Sequence, residues 1–191
     1  MKFQRFLKRQ IDLWGSLIGS IILTPFFLII AILIKIDSPG PVFFRQKRVG
    51  KDGKIFKIWK FRTMVEGAEN IGLGIEIAKN DPRITGVGKF LRRFVIDELP
   101  QFINVILGEM SLVGPRTALP NQVEKYTEFE KKRLQVRPGM ANINIIKGWN
   151  IPSWKERIKW DIWYIENWSL WLDLIILIKT PLAVFKHRQA E

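Results

Sequence analysis

From Leu13 to Ile34 the chain carries no charged residue. Coiled at about 1.5 Å per residue, a run of that length is roughly 33 Å long, enough to cross the hydrocarbon core of a bilayer. No polar face interrupts it, which argues against the helix of a soluble core. Pro25 sits in its middle. A proline there removes a backbone hydrogen bond that must be replaced locally in lipid, and the Thr24 hydroxyl is the nearest candidate. Lys2, Arg5, Lys8 and Arg9 precede the run, and Lys35, Arg45, Lys47, Arg48 and Lys51 follow it. The positive-inside rule therefore draws both ends to the cytoplasmic side. The expectation is a re-entrant anchoring helix over residues 1–36, broken at Thr24-Pro25, followed by a cytoplasmic-face domain over 37–191. A straight, kinked span is the competing reading. A cleaved signal peptide is disfavoured, because the run outlasts a usual h-region and lacks an Ala-x-Ala-like exit.

The formal charge of +13, from 31 Lys and Arg against 18 Asp and Glu, calls for an anionic partner. Anionic headgroups, phosphorylated lipids, nucleotide-linked substrates and nucleic acid all qualify. The absence of cysteine excludes a disulfide framework, a thiolate zinc site and a cysteine nucleophile. The single histidine, His187, lies in the basic tail KHRQAE, so any reaction must proceed without a histidine base.

Beyond the apolar run the signals are those of a helix-rich α+β domain. Ser38-Pro39-Gly40-Pro41 marks a turn, and Val42–Phe44 and Ile55–Phe61 read as strands of a β-hairpin around Gly50-Lys51-Asp52-Gly53. The stretch 67–79 reads as a loop or short helix, Asp81–Thr85 as a turn, and Asn121 to Leu134 as one helix. Trp154, Trp160, Trp163, Trp168 and Trp171 cluster with Lys155, Arg157 and Lys159. That mixture suits interfacial amphipathic helices, with ordinary aromatic core packing as the alternative. Asp173 and Lys179 argue against a second span in the apolar stretch from Leu170 to Phe185.

Asp97 and Glu98 stand side by side, with Arg92 and Arg93 upstream and Arg116 downstream. A carboxylate pair can hold Mg2+ through oxygen, while guanidinium groups grip phosphate in a fixed fork. This is the equipment of phosphoryl transfer. Pro100 belongs in a first helical turn, which makes Asp97 the expected N-cap with Glu98 in the turn that follows. The positive end of that helix would keep Asp97 ionised and favour a phosphate beside it. A plain capping Asp with a solvated Glu is the bland alternative.

Several segments together resemble the bacterial sugar transferases, the monotopic polyprenyl-phosphate phosphoglycosyl transferases, in a minimal form. They are Ser38-Pro-Gly-Pro-Val-Phe-Phe-Arg-Gln-Lys-Arg-Val-Gly50, Phe56-Lys-Ile-Trp-Lys-Phe-Arg-Thr-Met64, Asp81-Pro-Arg-Ile-Thr85, Asp97-Glu-Leu-Pro-Gln101, Asn104-Val105, Met110-Ser-Leu-Val-Gly-Pro-Arg116 and Val136-Arg-Pro-Gly139. The resemblance implies transfer of a sugar-1-phosphate from a UDP-sugar to polyprenyl phosphate, usually undecaprenyl phosphate, with release of UMP. It implies Asp97 as the nucleophile of a covalent phosphosugar intermediate and Mg2+ held by Asp97 and Glu98. Arg92, Pro115 and Arg116 become the phosphate-binding groups, with Lys60 and Arg62 as further electrostatic partners. It also implies the cytoplasmic face of a bacterial inner membrane, anionic lipid as neighbour, and the first membrane step of O-antigen, capsule or exopolysaccharide assembly, with no role for nucleic acid. The stretch from Met140 to Asn150 departs from the family pattern, placing Trp149 where an arginine is expected. A non-catalytic basic module for membrane surfaces or nucleic acid is the rival from another class. Such a module gains nothing from two carboxylates inside a basic cluster.

Overall fold

The computed structural model describes residues 2–72, 74, 78, 81–147 and 153–188. Trp149 and most of the 73–80 stretch therefore lie outside the described residues, as does the His187 side chain. Helix α1 spans Lys2–Asp37 and is the one helix among the described residues long and apolar enough to cross a membrane. It stays helical through Pro25, so the expected break at Thr24-Pro25 gives way to a continuous helix. Thr24 Oγ1 does donate to a backbone carbonyl, Ser20 O at 2.8 Å. That is the neighbour of the Ile21 carbonyl, the group the missing Pro25 N–H would have reached in a regular helix. A single lost hydrogen bond is a small defect in so long an apolar helix, which accounts for its continuity.

From Asp12 onward the covered positions of α1 centre on one stripe, Asp12, Ser16, Gly19, Leu23, Phe27, Ile30 and Ile34, with Leu13, Ser20 and Ala31 along its margin, recurring at three and four residues as a single helix face does. The rest of the helix leaves Trp14, Ile18, Ile21, Ile22, Leu28, Ile29 and Ile32 exposed. The helix thus lies lengthwise against the domain and presents an apolar outer face.

Strands β1 (Phe43–Val49) and β2 (Ile55–Phe61) pair antiparallel, in a register that sets Arg48 opposite Phe56 and Phe44 opposite Lys60. The hairpin is the expected one, though β1 runs on through its charged residues, because alternation keeps Arg45 and Lys47 on the open face. Helix α2 (Gly86–Arg93) follows, capped by Thr85, and then a 3-10 helix over Ile96–Gln101 and the short helix α3 (Phe102–Ile106). Strand β3 (Ser111–Val113) pairs parallel with β4 (Gly139–Ala141). Between them the expected single helix divides into α4 (Pro120–Val123), α5 (Glu128–Lys131) and a 3-10 turn over Lys132–Gln135. A capping box causes the division: Thr127 Oγ1 accepts the Glu130 N–H while Glu130 Oε2 accepts the Thr127 N–H. Helices α6 (Ile143–Lys147), α7 (Trp154–Glu166) and α8 (Leu170–Arg188) complete the chain.

Apolar clusters fasten these elements around the hairpin. Phe56 and Ile58 of β2 pack on Val105 and Met110, and Ile30 and Ile34 of α1 pack on Phe61 and Leu91. Burial of each such side chain contributes about 1.5–3 kcal/mol. A third cluster joins Val113, Ala141 and Ile143 to Tyr164 and Ile176 of the last two helices. The tryptophans divide between the two readings. Trp160 and Trp168 pack against this cluster, whereas Trp163 and Trp171 are exposed. On α8 the exposed residues Trp171, Leu174, Ile178, Leu182 and Phe185 form a second apolar stripe.

Candidate active site

Val95 organises the dyad. Its φ of 57° is left-handed, a rare conformation for a β-branched residue. There it both ends α2, donating its N–H to Arg92 O at 3.1 Å, and opens the 3-10 helix. This corrects the sequence expectation: Val95, not Asp97, is the N-cap, and Asp97 and Glu98 lie inside the first 3-10 turn. The turn starts early because the chain must reverse directly after α2, and the αL residue that makes the reversal also begins the next helix.

The two carboxylates differ in environment. Glu98 Oε1 accepts from Lys60 Nζ at 2.7 Å and lies 3.4 Å from Arg116 Nη2. Burial alone would raise its pKa, but Lys60, Arg116 and Arg48 together hold it down at about 2. Asp97 is also buried. Among the described residues no side chain donates a hydrogen bond to it, although the charges of Lys60 and Arg92 act on it. Burial and the Glu98 charge push it up to about 6 against those cations. One carboxylate is clamped and permanently charged. The other is ionised near neutral pH and left without a clamp.

The cations come from separate elements. Lys60 lies on β2 with the inward parity of Phe56 and Ile58. Arg92, in the last turn of α2, donates Nε to Thr63 Oγ1 at 2.7 Å and faces Asp97 and Asp81. Arg116 is held through its backbone, its carbonyl accepting from Arg133 Nη2 at 2.9 Å. Arg133 is in turn buried and paired with Asp161. The preceding Pro115 O accepts the Gly139 N–H at 2.9 Å. There the two loops touch so closely that a Cβ on Gly139 would sit 2.0 Å from Gly114 N. Only glycine allows the Pro115-Arg116 turn to approach in this way.

Arg62 does not join the group. It is buried with its guanidinium on Pro39 O, Ser38 O and Ser38 Oγ at 2.6–3.0 Å. It thereby caps the C-terminal end of α1 and is a fastening residue. Its place as a site cation is taken by Arg48, which was not singled out from the sequence. Arg48 donates Nη2 to Gln46 Oε1 at 2.6 Å, and its Nε is buried without a hydrogen-bond partner among the described residues. Burial, and then the Arg116 charge, lower its pKa to about 10, so it remains a cation. The signal was the alternation in FFRQKRV, which turns Arg48 inward with Phe44 and Gln46.

Among the described residues no group of three or more His, Cys, Asp or Glu forms a complete metal cage. Two adjacent carboxylates nevertheless suit Mg2+, which is commonly held by one or two carboxylates together with substrate phosphate oxygens. The site thus combines an unclamped carboxylate, a clamped carboxylate and four cations, Lys60, Arg92, Arg116 and Arg48, an arrangement suited to an anionic diphosphate.

Known proteins resemble the chain over nearly its whole length. The profile of the bacterial sugar transferase family matches residues 3–187. A UDP-glucose:undecaprenyl-phosphate glucose-1-phosphate transferase of Klebsiella pneumoniae is 42% identical over 191 residues, covering 96% of this chain and 41% of that protein. A UDP-N-acetylgalactosamine-undecaprenyl-phosphate N-acetylgalactosaminephosphotransferase of Aeromonas hydrophila is 42% identical over 182 residues, covering 92% and 43%. An exopolysaccharide production protein of Rhizobium meliloti is 37% identical over 195 residues, covering 95% and 86%. The chain therefore spans about two fifths of the first two relatives and most of the third.

Proposed function

Because the chain belongs to the bacterial sugar transferase family, we propose that it moves a sugar-1-phosphate from a UDP-sugar to polyprenyl phosphate, undecaprenyl phosphate in bacteria, and releases UMP. The observation that carries the reading is the asymmetry of the dyad. Glu98 is clamped by Lys60 and Arg116, while Asp97 beside it has no clamp. An Asp97 carboxylate oxygen attacks the phosphorus next to the sugar, and the bond from that phosphorus to the bridging oxygen breaks as UMP leaves. A phosphate oxygen of the lipid then attacks the same phosphorus, and the Asp97 carboxylate is released. Neither nucleophile must lose a proton at neutral pH, which accords with a chain whose only histidine is in its tail. Arg92, Arg116, Lys60 and Arg48 hold the phosphate oxygens and balance the charge that builds during transfer. Asp97 and Glu98 are the residues that would hold Mg2+, whose contribution is to neutralise the diphosphate and the departing UMP.

The attachment of α1 supports a monotopic seat on a membrane, and the basic residues flanking its apolar run favour the cytoplasmic face. Near its start Lys8 and Arg9 bond Val113 O, Val105 O and Ile106 O, and near its end Asp37 Oδ2 accepts the Val87 N–H. A straight crossing would set these two attachments on opposite sides of about 30 Å of hydrocarbon, yet both are made to one domain. A continuous helix that lies in the interface keeps the dyad where a soluble nucleotide and a lipid phosphate meet.

The covalent step gives the test. Detergent-extracted protein with Mg2+ and UDP-sugar, but no lipid acceptor, should release UMP in a stoichiometric burst. The peptide containing Asp97 should gain the mass of one phosphosugar after a cold acid quench. Asp97→Asn should abolish both signals. A fully active preparation with no lipid-independent burst and no adduct would refute the mechanism.

A further inference from the structure

The first turns of α1 hold a cluster of cations that the dyad does not use. They border a cavity of about 340 Å³, lined in part by Arg5, Lys8, Arg9, Lys51 and Arg137, with Asp12 the single carboxylate among the described residues around it. Lys8 is neutralised by Asp173 at 2.6 Å. Arg9 donates to the carbonyls of Val105 and Ile106, and Arg137 Nε donates to Gly108 O at 2.7 Å. Those bonds satisfy donors but leave the charges uncancelled. Lys51 has only a loose 3.7 Å contact with exposed Asp52, and Arg5 has no partner among the described residues. Asp12 is itself engaged by Ser111 Oγ and the Leu112 N–H. Four cations thus face one committed carboxylate across an open space, and such an excess calls for an anion.

A second cavity of about 290 Å³ adjoins the first and shares Lys8, Asp12 and Val113 with it. Apart from Asp173, which is paired with Lys8, its other walls are apolar, with Ile11 on one side and Trp171, Leu174 and Leu177 of α8 on the other. It lies between the two helices whose outer faces are exposed and apolar. A free phosphate would fill the basic compartment and leave the apolar one empty. A phospholipid has the right chemistry for each.

We propose that this pair of cavities binds one anionic phospholipid of the host bilayer, its phosphate among Arg5, Lys51 and Arg137 and the start of an acyl chain between Ile11, Trp171 and Leu174. The lipid bridges the start of α1 to α8 and so secures the anchor to the domain. The site contains none of the dyad residues, so it stands or falls independently of the proposed reaction.

The test is lipid binding to the detergent-solubilised full chain, followed by native mass spectrometry without nucleotide sugar. One dihexanoyl-phosphatidylglycerol per chain should bind at least tenfold more tightly than dihexanoyl-phosphatidylcholine. Arg5→Gln with Lys51→Gln should weaken the phosphatidylglycerol about 25-fold, at roughly fivefold for each basic group removed. Lys125→Gln with Lys155→Gln removes the same charge from exposed positions elsewhere and should change nothing. Trp171→Ala should weaken both lipids several-fold while preserving the headgroup preference. Asp97→Asn should bind as the wild type does. Equal affinity for the two lipids would overturn the proposal, and so would equal losses in the two double variants. Displacement of phosphatidylglycerol by millimolar inorganic phosphate, with no dependence on Trp171, would identify a free-phosphate site and overturn it too.

Discussion

Replacing Asn104 with alanine should cost the domain more than any surface change and should reach the dyad without touching it. The Asn104 side chain is completely buried. Its Oδ1 accepts the Trp59 N–H at 2.9 Å, and its Nδ2 donates to Lys57 O at 2.9 Å and to Glu109 Oε2 at 2.7 Å. The amide thus lies on the edge of β2 as one residue of a third strand would. Two neutral hydrogen bonds contribute about 1 kcal/mol each and one to a carboxylate about 1.5–3, so alanine should lose roughly 3.5–5 kcal/mol. The Trp59 N–H and Lys57 carbonyl lose their partner on the side of the strand where Asn104 is fully buried, which limits relief by water. For a domain of this size the loss corresponds to a fall in Tm of about 10–15 °C, read from far-UV circular dichroism of the detergent-solubilised chain. Asn104→Asp keeps an acceptor for Trp59 but loses both donors and opposes Glu109, so at pH 7 it should be no more stable than the alanine variant. Lys60 is the residue after Trp59, and α3 directly follows the dyad. The UMP burst should therefore slow in Asn104→Ala even at a temperature where the protein is still folded. A Tm loss below 2 °C would refute the assignment of Asn104 as the tie between these elements.

In the metal-free protein the Asp97 carboxyl should titrate near pH 6 rather than near 4, read from the 13C shift of its labelled carboxyl. Burial and the Glu98 charge raise it to about 6; Glu98→Gln removes a like charge and should move the titration to lower pH, so a midpoint near 4 that ignores the substitution would contradict this account. Single cysteines near the N-terminus and near residue 50 should react with an impermeant thiol reagent only from the cytoplasmic side, and periplasmic labelling of the N-terminal one would establish a straight span.

The parts of this structure set by local chemistry were legible in the sequence. Gly50–Gly53 turned the hairpin, and the Asp97-Glu98 pair among arginines marked the carboxylates that the fold sets beside Lys60, Arg92 and Arg116. Strand parity carried Lys60 inward and, read one strand earlier, would have found Arg48. What could not be read depends on distant partners. Arg62 shares the parity of Lys60, but the strand ends at Phe61 and the end of α1 lies there with unsatisfied carbonyls. Nothing in the preferences of a β-branched residue foretells the left-handed Val95, which is imposed by packing on both sides of the reversal. The division of the helix expected from Asn121 was present as Thr127-x-x-Glu130, a capping signal outweighed by apolar spacing. The tryptophans could not be sorted because composition does not say which face of α7 and α8 meets the core.

The same small-residue face that seats α1 also fixes how close it comes to the chemistry. A Cβ on Gly15 would lie 2.9 Å from Leu112 Cδ1, and one on Gly19 would lie 3.3 Å from the Phe102 ring. Glycine at these positions, with Ser16 fully buried between them, allows the helix to approach β3 and α3 closely, as small residues do in membrane helix packing. Phe102 begins α3 directly after the turn that holds Asp97 and Glu98. Helix α1 therefore bears on the element that carries Asp97 rather than on a remote surface of the domain. Where the apolar face of α1 meets lipid, the depth of that contact sets the height of Asp97 above the hydrocarbon. A lipid phosphate confined to the headgroup layer could reach the aspartate only if this height were fixed. Lys8 and Arg9 at one end of the helix and the Arg62 cap at the other fix it from both sides.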